Sequence, residues 1–307
     1  MSRRHHEQHT CSVVPSFLAS GATADTRKAN TMALNTDTKK SLFPDAVYIP
    51  ATDAINTALA LTLAQQGPAI EGDAPSVRVP LCADMEAAQV AEGATISETE
   101  AALSEIEIHT RKLALLTKMS YEAYSHSDAT NLLTDTMRRS ITNAADKAFL
   151  TNAKGSDGTP VGITNTDGAV KPEVGITDSL APLLEAIGEV GEHGAAPSHV
   201  LLGYDAWAKL MQLTDKNGNM LFNPTVSADT ASSVFGLPFV RSKFMPKNTL
   251  MVIDSTDIVA SVSDVRLQVS DMPYFSSDSI GIRVIYRLGW GIAHPDRHAL
   301  LTIGTAK

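Results

Sequence analysis

Several kinds of residue are scarce in this sequence of 307 residues, and each scarcity excludes a class of protein. No apolar run approaches the roughly 18–20 residues that cross a bilayer, so the sequence predicts no membrane-spanning helix and no membrane partner. The two cysteines, Cys11 and Cys82, lie far apart without a CxxC motif, which argues against a disulfide framework and a zinc ribbon. Aromatic residues make up only 5%, too few for the stacking platforms of single-strand nucleic-acid binders.

Basic residues are also outnumbered, because 25 Lys and Arg stand against 34 Asp and Glu, a formal net charge of −9. Proteins that hold nucleic acid by its phosphates do so with clustered Lys and Arg. An acidic chain is therefore a poor candidate for gripping DNA, although it could lie beside DNA. The hydrophobic share of 43% and the charged share of 19% are ordinary for a globular protein.

Residues 1–31 differ in composition from the rest and are locally basic. We interpret them as a disordered tail, a removable leader or an over-called start, since Met32 offers a second start. A metal site built from His5, His6 and His9 is a weaker alternative. A secretion signal is weaker too, because the apolar part of the segment is short and interrupted by proline.

No Lys or Arg occurs between Leu81 and Thr110, whereas seven acidic residues do. Apolar residues alternate with polar ones on both sides of this segment, which predicts two strands joined by a turn near Glu92 and Gly93. An isolated two-stranded ribbon is only marginally stable in water. We therefore expect something outside the subunit to support it.

A long helix is predicted to start at Ser127 as its N-cap and to stop at Gly155. Its apolar stripe is Leu133, Met137, Ile141, Ala144 and Ala148. A second helix is predicted with Leu180, Leu183, Leu184, Ile187 and Val190 on one face. Short strands are predicted at 200–202, 249–253 and 265–269, and a long strand at 280–290. Helices and strands are segregated along the chain, which predicts an α+β fold.

No motif in the sequence predicts catalysis, a cofactor or a metal. The glycines of 155–162 match neither a Walker A loop nor GxGxxG, so we interpret this segment as a turn. The run 215–219 resembles the first half of an EF-hand loop but lacks its glycine and its final glutamate. Pro295 between His294 and His298 argues against a helical zinc pair.

The first half of the chain carries two segments that resemble the major capsid proteins of tailed bacteriophages. Val79 and Pro80, followed by the apolar run that ends in Glu92 and Gly93, resemble the family's extended E-loop. The segment 111–122 resembles the entry to the family's long spine helix.

Two later segments resemble the same family in the same order. The third is similar to the family's hallmark and consists of Asp146, Ala148, Phe149, Pro160, Gly162 and Ile163. The fourth resembles its return strands and includes Gly236, Pro238, Asp254, Arg283 and Arg287. The four segments together cover the chain from about Val77 to the C-terminus.

The resemblance implies the Hong Kong 97-like phage capsid fold. It further implies the following organisation: leader 1–31, N-terminal arm 32–76, E-loop 77–112, peripheral domain with the spine helix 113–154, axial domain 155–255 and a return to the peripheral domain at 256–307. The implied function is a structural, non-enzymatic subunit of an icosahedral shell around double-stranded DNA. An encapsulin-like nanocompartment shell is the nearest alternative, and an uncharacterised soluble enzyme is a remote one.

The implied partners are copies of the chain itself, arranged in hexamers and pentamers, with a separate scaffolding protein and a portal. Packaged DNA would be contacted without sequence specificity, and assembly would take place in the host cytoplasm. Some family members join subunits through an E-loop lysine; none is available here, so we expect no such bond. We further expect the acidic E-loop to lie on basic residues of a neighbouring subunit, the candidates being Glu92, Gly93, Glu98 and Glu100 against Arg138, Arg139 and Lys147.

Overall fold

A computed structural model describes residues 47–55, 57–82, 87, 89–93, 95, 98, 103–125, 127–154, 159–215, 217–222 and 233–304. The predicted leader, residues 32–46 of the predicted arm, Gly155 and Glu100 lie outside these described residues. All described residues belong to one compact unit, Asp45–Lys307.

The secondary structure of the described residues is mixed. The helices are α1 Ala51–Ala54, α2 Leu59–Thr62, α3 Tyr121–Ser125, α4 Ser127–Thr151, α5 Ala181–Glu192 and α6 Tyr204–Met211. The strands are β1 Val47–Ile49, β2 Gln65–Gln66, β3 Ser76–Cys82, β4 Leu103–Ser120, β5 His199–Leu202, β6 Ser233–Val234, β7 Leu237–Arg241, β8 Thr249–Ile253, β9 Ile258–Val262, β10 Val265–Ser270, β11 Ser279–Ile292 and β12 Ala299–Thr302. Short 3₁₀ segments are Ile163–Asn165, Met272–Ser277 and Pro295–Arg297.

The larger sheet has seven strands around β11. Its main order is β1-β10-β11-β4-β3, while β9 pairs with the end of β11 and β2 pairs with β9. The period-two pattern predicted for β11 is confirmed, because Ile282, Val284, Tyr286 and Leu288 are buried. Arg283, at an odd position between them, is exposed. Alternation along the strand thus gives this sheet one apolar face.

Helix α4 covers that apolar face, and its predicted extent is nearly correct. Met137 and Ile141 are buried as expected, but Ala144 is exposed, and the next two buried positions are Ala145 and Phe149. The stripe continues in steps of four, which keeps one side of the helix on the sheet. Ser127 is the first helical residue rather than the residue before the helix.

The predicted two-stranded excursion is confirmed at its base, where β3 and β4 pair antiparallel from Ser76 with His109 to Cys82 with Leu103. Strand β4 does not end there, because it continues for 18 residues in all and pairs with β11 from Thr110 onward. The segment expected to be the entry to the spine helix is therefore mostly strand, and the helix begins after it. Exposed and half-buried residues alternate along this stretch, as in a strand with one face on the core.

The smaller sheet has five strands in the order β12-β8-β5-β7-β6 and a core of its own with α5 and α6. The predicted buried strand β5 is confirmed, since Val200, Leu201 and Leu202 are fully buried. Strand β12 pairs with β8 in this sheet. The family resemblance implies that residues 256–307 return to the peripheral domain. Of the strands in this range, β9, β10 and β11 join the larger sheet, whereas β12 does not.

Candidate assembly surface

The described residues show no metal site and no membrane-spanning helix. Among the described residues, no group of three or more His, Cys, Asp or Glu could hold a metal ion. The described helices include none long and apolar enough to cross a membrane.

The end of the β3–β4 hairpin projects from the subunit. We call the described residues between 87 and 98 the hairpin tip, and every one of them is exposed. Glu92 and Gly93 form the predicted turn, with Gly93 at φ +79°, a conformation that a residue without a Cβ adopts easily. Glu98 is exposed as well. Among described residues, no other part of the subunit buries the hairpin tip.

Two of the seven acidic residues of this segment have partners inside the hairpin itself. The Arg78 guanidinium lies 3.1 Å from a carboxylate oxygen of Glu105 on the facing strand. The Ser76 hydroxyl donates to Glu107 at 2.7 Å, and this hydrogen bond lowers the pKa of Glu107 below its usual value. Both contacts are diagonal across the strand pair, because Arg78 lies opposite Glu107 and Ser76 lies opposite His109. Among the described acidic residues of this segment, Glu92 and Glu98 lie in the hairpin tip and are exposed.

The basic residues expected to receive them lie on the solvent side of α4. Arg138, Arg139 and Lys147 are all exposed, and among the described residues no carboxylate forms a salt bridge with them. Arg138 and Arg139 line an open cleft together with Lys243, which follows β7. Lys147 lies about 12 Å further along the helix.

We call Arg138, Arg139, Lys147 and Lys243 the basic surface. Sequence reasoning missed Lys243, which lies more than ninety positions after the other three residues in the chain. No local pattern could have revealed it, because the packing of the turn after β7 against α4 brings it there.

The residues of the hallmark motif come together at the end of α4. The Asp146 carboxylate accepts a hydrogen bond of 2.7 Å from the Leu59 backbone N–H, at the start of α2. Burial raises the pKa of Asp146, although this hydrogen bond opposes the shift. Phe149 is fully buried and meets the Trp290 ring edge-on, with centroids 5.6 Å apart. Trp290 in turn donates from Nε1 to the Val161 carbonyl at 2.6 Å.

Pro160 and Gly162 close the chain back onto the end of this helix. The Asn152 side chain donates to the Pro160 carbonyl at 2.9 Å, and the Gly162 N–H donates to the Asn152 carbonyl at 2.9 Å. A Cβ on Gly162 would lie 2.4 Å from the Asn152 nitrogen and 2.6 Å from the Leu150 carbonyl oxygen. Only glycine fits at this position.

The other motif positions have separate structural roles. Gly236, at φ +83°, follows Phe235, at φ +49°, in the two-residue turn between β6 and β7. Pro238 lies on β7 opposite Ser233. These two positions shape a hairpin at the edge of the smaller sheet.

Asp254 organises the turn that leaves β8. One carboxylate oxygen accepts from the Thr256 N–H at 2.9 Å and from the Thr256 hydroxyl at 2.6 Å, and the other accepts from the Ala196 N–H at 2.7 Å. Burial by itself would raise the pKa of Asp254, but these hydrogen bonds outweigh burial and lower it.

Arg283 and Arg287 hold the solvent side of the larger sheet. Arg283 hydrogen-bonds the Gln268 side chain, with 3.1 Å from Nε to Oε1. Arg287 binds the Asp73 carboxylate through two nitrogens at 2.7 and 3.0 Å. Arg283 and Arg287 therefore bind partners within their own subunit, and they do not belong to the basic surface.

The two histidines near the C-terminus lie where the chain passes between the sheets. His294 Nδ1 is 2.9 Å from the Asp257 carboxylate. His298 is fully buried and accepts from the Asp254 N–H at 3.3 Å, so a neutral ring carries its proton on Nε2. Burial lowers the pKa of His298. The histidines thus belong to a polar cluster at the junction of the two sheets, in which His298 is buried and His294 is half-exposed.

The protein-family comparison matches this architecture. The model of the Phage capsid family matches residues 60–303. The chain belongs to the phage capsid family. The capsid protein is therefore a structural major capsid protein, a subunit that assembles with copies of itself into the icosahedral shell of the virion.

Solved structures share its fold. A structure from Gordonia phage Cozz is 17% identical with a TM-score of 0.64 and covers 96% of this chain and 99% of that chain. A structure from Mycobacterium phage Adephagia is 14% identical with a TM-score of 0.63 and covers 81% of this chain and 91% of that chain. The capsid of an empty GTA particle is 19% identical with a TM-score of 0.63 and covers 81% of this chain and 90% of that chain. No curated protein matches the chain.

These matches confirm the α+β fold class and the family that the sequence motifs indicated. At such low identity the structural likeness concerns the fold alone. The contacts between subunits must therefore be argued from the residues of this chain.

Proposed function

We propose that the capsid protein builds a non-enzymatic shell around a double-stranded DNA genome, in which the hairpin tip of one subunit lies on the basic surface of the next. The observation that carries this proposal is the full exposure of the hairpin tip. Its described residues bury nothing within their own subunit. An extended, unsupported ribbon gains stability when a neighbour covers it.

Charge supports the pairing of these two surfaces. Glu92 and Glu98 of the hairpin tip are exposed, and Glu105 and Glu107 are already engaged with β3. The basic surface presents cations that form no salt bridge among the described residues. Exposed ion pairs contribute only about 0–1 kcal/mol each. A shell repeats each pair at every subunit, so small contributions still determine whether it closes.

The overall charge of the chain bears on how the shell contacts packaged DNA. A chain with a net charge of −9 can surround DNA without binding it strongly, since phosphate binding depends on Lys and Arg. The proposal includes a separate scaffolding protein and a portal as partners and assembly in the host cytoplasm. It includes no cofactor.

Charge reversal tests the hairpin contact. The double variant Glu92→Lys, Glu98→Lys should lower the yield of assembled shells at least about tenfold, because it replaces attraction by repulsion worth about 1.4 kcal/mol or more per contact. The yield is measured by sedimentation and negative-stain microscopy. Thermal unfolding of the unassembled subunit should change little, since both side chains are exposed.

Two further variants complete this test. The matched control Glu185→Lys, Glu189→Lys reverses two exposed acidic residues on α5 and should leave the shell yield unchanged. Adding Arg139→Glu and Lys147→Glu to the hairpin variant should restore part of the yield. A normal shell yield from the hairpin variant, with normal folding, would refute the contact.

A further inference from the structure

The turn between β10 and β11 presents two large apolar side chains to solvent. Met272 and Phe275 are 83% and 84% exposed, the highest values among the large hydrophobic residues described. Exposed apolar groups that cluster on one short segment mark contact sites more often than single scattered ones. The protein thus has an apolar surface that nothing in the described subunit covers.

Tyr274 holds this turn in place from the other side. Its backbone N–H donates to the Asp271 carbonyl at 2.9 Å, and its ring lies under the Lys118 ammonium at 5.0 Å from the centroid. The same ring packs on Gly281, where a Cβ would be only 3.0 Å away. Because Tyr274 points back to the sheet, the 3₁₀ segment presents Met272 and Phe275 outward in a defined arrangement.

A complementary groove lies between α4 and the larger sheet. Its walls are Leu133, Met137 and Ile141 from the helix and Leu267, Val269 and Ile282 from the strands. The lining of the groove is apolar or aromatic except for Thr134 and Arg138, which are both exposed. The groove therefore offers a partner an almost entirely apolar surface.

Charges beside the two surfaces are opposite in sign. Asp271 and Asp278 flank the apolar turn and are both exposed. Arg138 lines the apolar groove and is exposed, and among the described residues it has no carboxylate partner. Electrostatic complementarity of this kind favours one orientation of an apolar contact.

We infer that, in the shell, Met272 and Phe275 of one subunit insert into the apolar groove of a second copy of the same chain. This inference rests on the proposed shell function and adds a contact that does not involve the hairpin tip. Covering both side chains and the groove removes apolar surface from water, which is the main favourable contribution to most protein association.

The two surfaces lie close together on the subunit. Val269 and Ile282 of the apolar groove pair with each other just before the turn that carries Met272 and Phe275. The inserting turn and the receiving groove therefore lie at the same end of one hairpin. A head-to-tail contact between two different surfaces generates a ring when the rotation closes.

Cross-linking between two kinds of subunit tests the inference. Both kinds carry Cys11→Ser and Cys82→Ser; the first adds Ser276→Cys beside the inserting side chains, and the second adds Thr134→Cys at the apolar groove. After co-assembly and treatment with a short bismaleimide, a denaturing gel should show a dimer band. Because the cysteines are on different subunits, a dimer reports an intermolecular contact only.

Three controls make the result specific. Shells of either subunit alone should give monomers, and so should co-assembly of the Ser276→Cys subunit with a Glu185→Cys subunit. Dimers from the Ser276→Cys subunit alone would mean that the turns meet each other, which would overturn the inference. Monomers throughout well-formed shells would overturn it too, while the proposed shell function would stand.

A second measurement removes the apolar side chains. The variant Met272→Ser, Phe275→Ser should reduce the shell yield at least about tenfold without changing the unfolding temperature of the subunit. The matched control Val174→Ser, Met220→Ser changes two residues that are 66% and 57% exposed elsewhere and should assemble normally. Equal yields from the two variants would contradict the inference. Failure of the unmodified protein to form any particles would instead contradict the proposed function.

Discussion

Gly162 shows how one residue secures the end of the spine helix. Its backbone has φ −64° and ψ 144°, which any residue can adopt, so the requirement for glycine is purely steric. We expect Gly162→Ala to lower the free energy of unfolding by about 1–3 kcal/mol, because the added methyl group overlaps the backbone of Leu150 and Asn152. Urea denaturation of the unassembled subunit measures this change.

Gly188 provides the matched control. It lies in α5, and a Cβ there would meet nothing within 4 Å. Gly188→Ala should therefore raise stability by about 0.5–1 kcal/mol through helix propensity. If both substitutions proved equally harmless, the close approach around Gly162 would not be a determinant of stability.

His298 makes stability depend on pH. Burial lowers its pKa, although the nearby carboxylates Asp257, Asp254 and Asp296 raise it and His294 lowers it further. The unfolded chain then binds the proton more readily than the folded chain. The free energy of unfolding should therefore have its full value above about pH 6.5. It should decrease as the pH is lowered below about 6.5, by at most about 1.4 kcal/mol per pH unit.

The variant His298→Asn tests this dependence. An asparagine carbonyl could still accept from the Asp254 N–H but would not take up a proton. We expect the variant to lose less stability than the native protein between about pH 7.5 and pH 5.5, as measured by thermal unfolding at each pH. The pKa of Asp254 is lowered, so its contribution is lost only in a more acidic range. Parallel pH profiles for the two proteins would exclude His298 as the titrating group.

At the scale of elements, β4 combines two environments in one strand. Its second part pairs with β11 and places Leu113 and Leu115 against the main core. Its first part pairs only with β3, and Leu103 at its start is 78% exposed. The strand is therefore firmly anchored at one end and weakly supported at the other.

Hydrogen exchange should reveal this difference. In the unassembled subunit, backbone amides of residues 103–106 should exchange at least about tenfold faster than those of residues 113–119, since few buried contacts oppose local opening there. In the assembled shell, the proposed contact with a neighbour would cover the hairpin, and its exchange should slow. Residues 200–202, fully buried in the smaller sheet, serve as an internal reference. Unchanged exchange of the hairpin on assembly would contradict a contact in that region.

Helices illustrate which parts of an element can be predicted. The extent of α4 followed from its apolar repeat and polar ends. For α5 the apolar repeat correctly predicted that Leu183 and Val190 are buried, but Leu184, predicted on the same face, is 53% exposed. One turn of a helix often carries adjacent apolar residues, and the tertiary neighbours determine which of them is buried.

At the scale of the whole molecule, two separate cores share one chain. The larger core joins α4 to the seven-stranded sheet, and the smaller one joins α5 and α6 to the five-stranded sheet. Asp254, Asp257, His294 and His298 tie together the two places where the chain passes from one sheet to the other. The surfaces that such a subunit leaves uncovered are those that a shell would use.

The shell should be held together without covalent bonds between subunits. No lysine lies between Leu81 and Thr110, so the hairpin has no amine to form an isopeptide bond. We expect shells heated with detergent and reductant to give a single band at the monomer position on a denaturing gel. A ladder of multimers under those conditions would contradict this prediction.

The local sequence was sufficient to predict the spine helix α4, the strand β11 and the family to which the chain belongs. Periodicity and turn residues act over a few positions, and the hallmark from Asp146 to Ile163 is nearly continuous. It was not sufficient for the long extent of β4 or for the pairing of β12 with β8, because strand pairing joins residues far apart in the chain. The position of Lys243 beside Arg138 and the apolar groove under α4 depend on how the helix packs on the sheet, which no short stretch of sequence specifies.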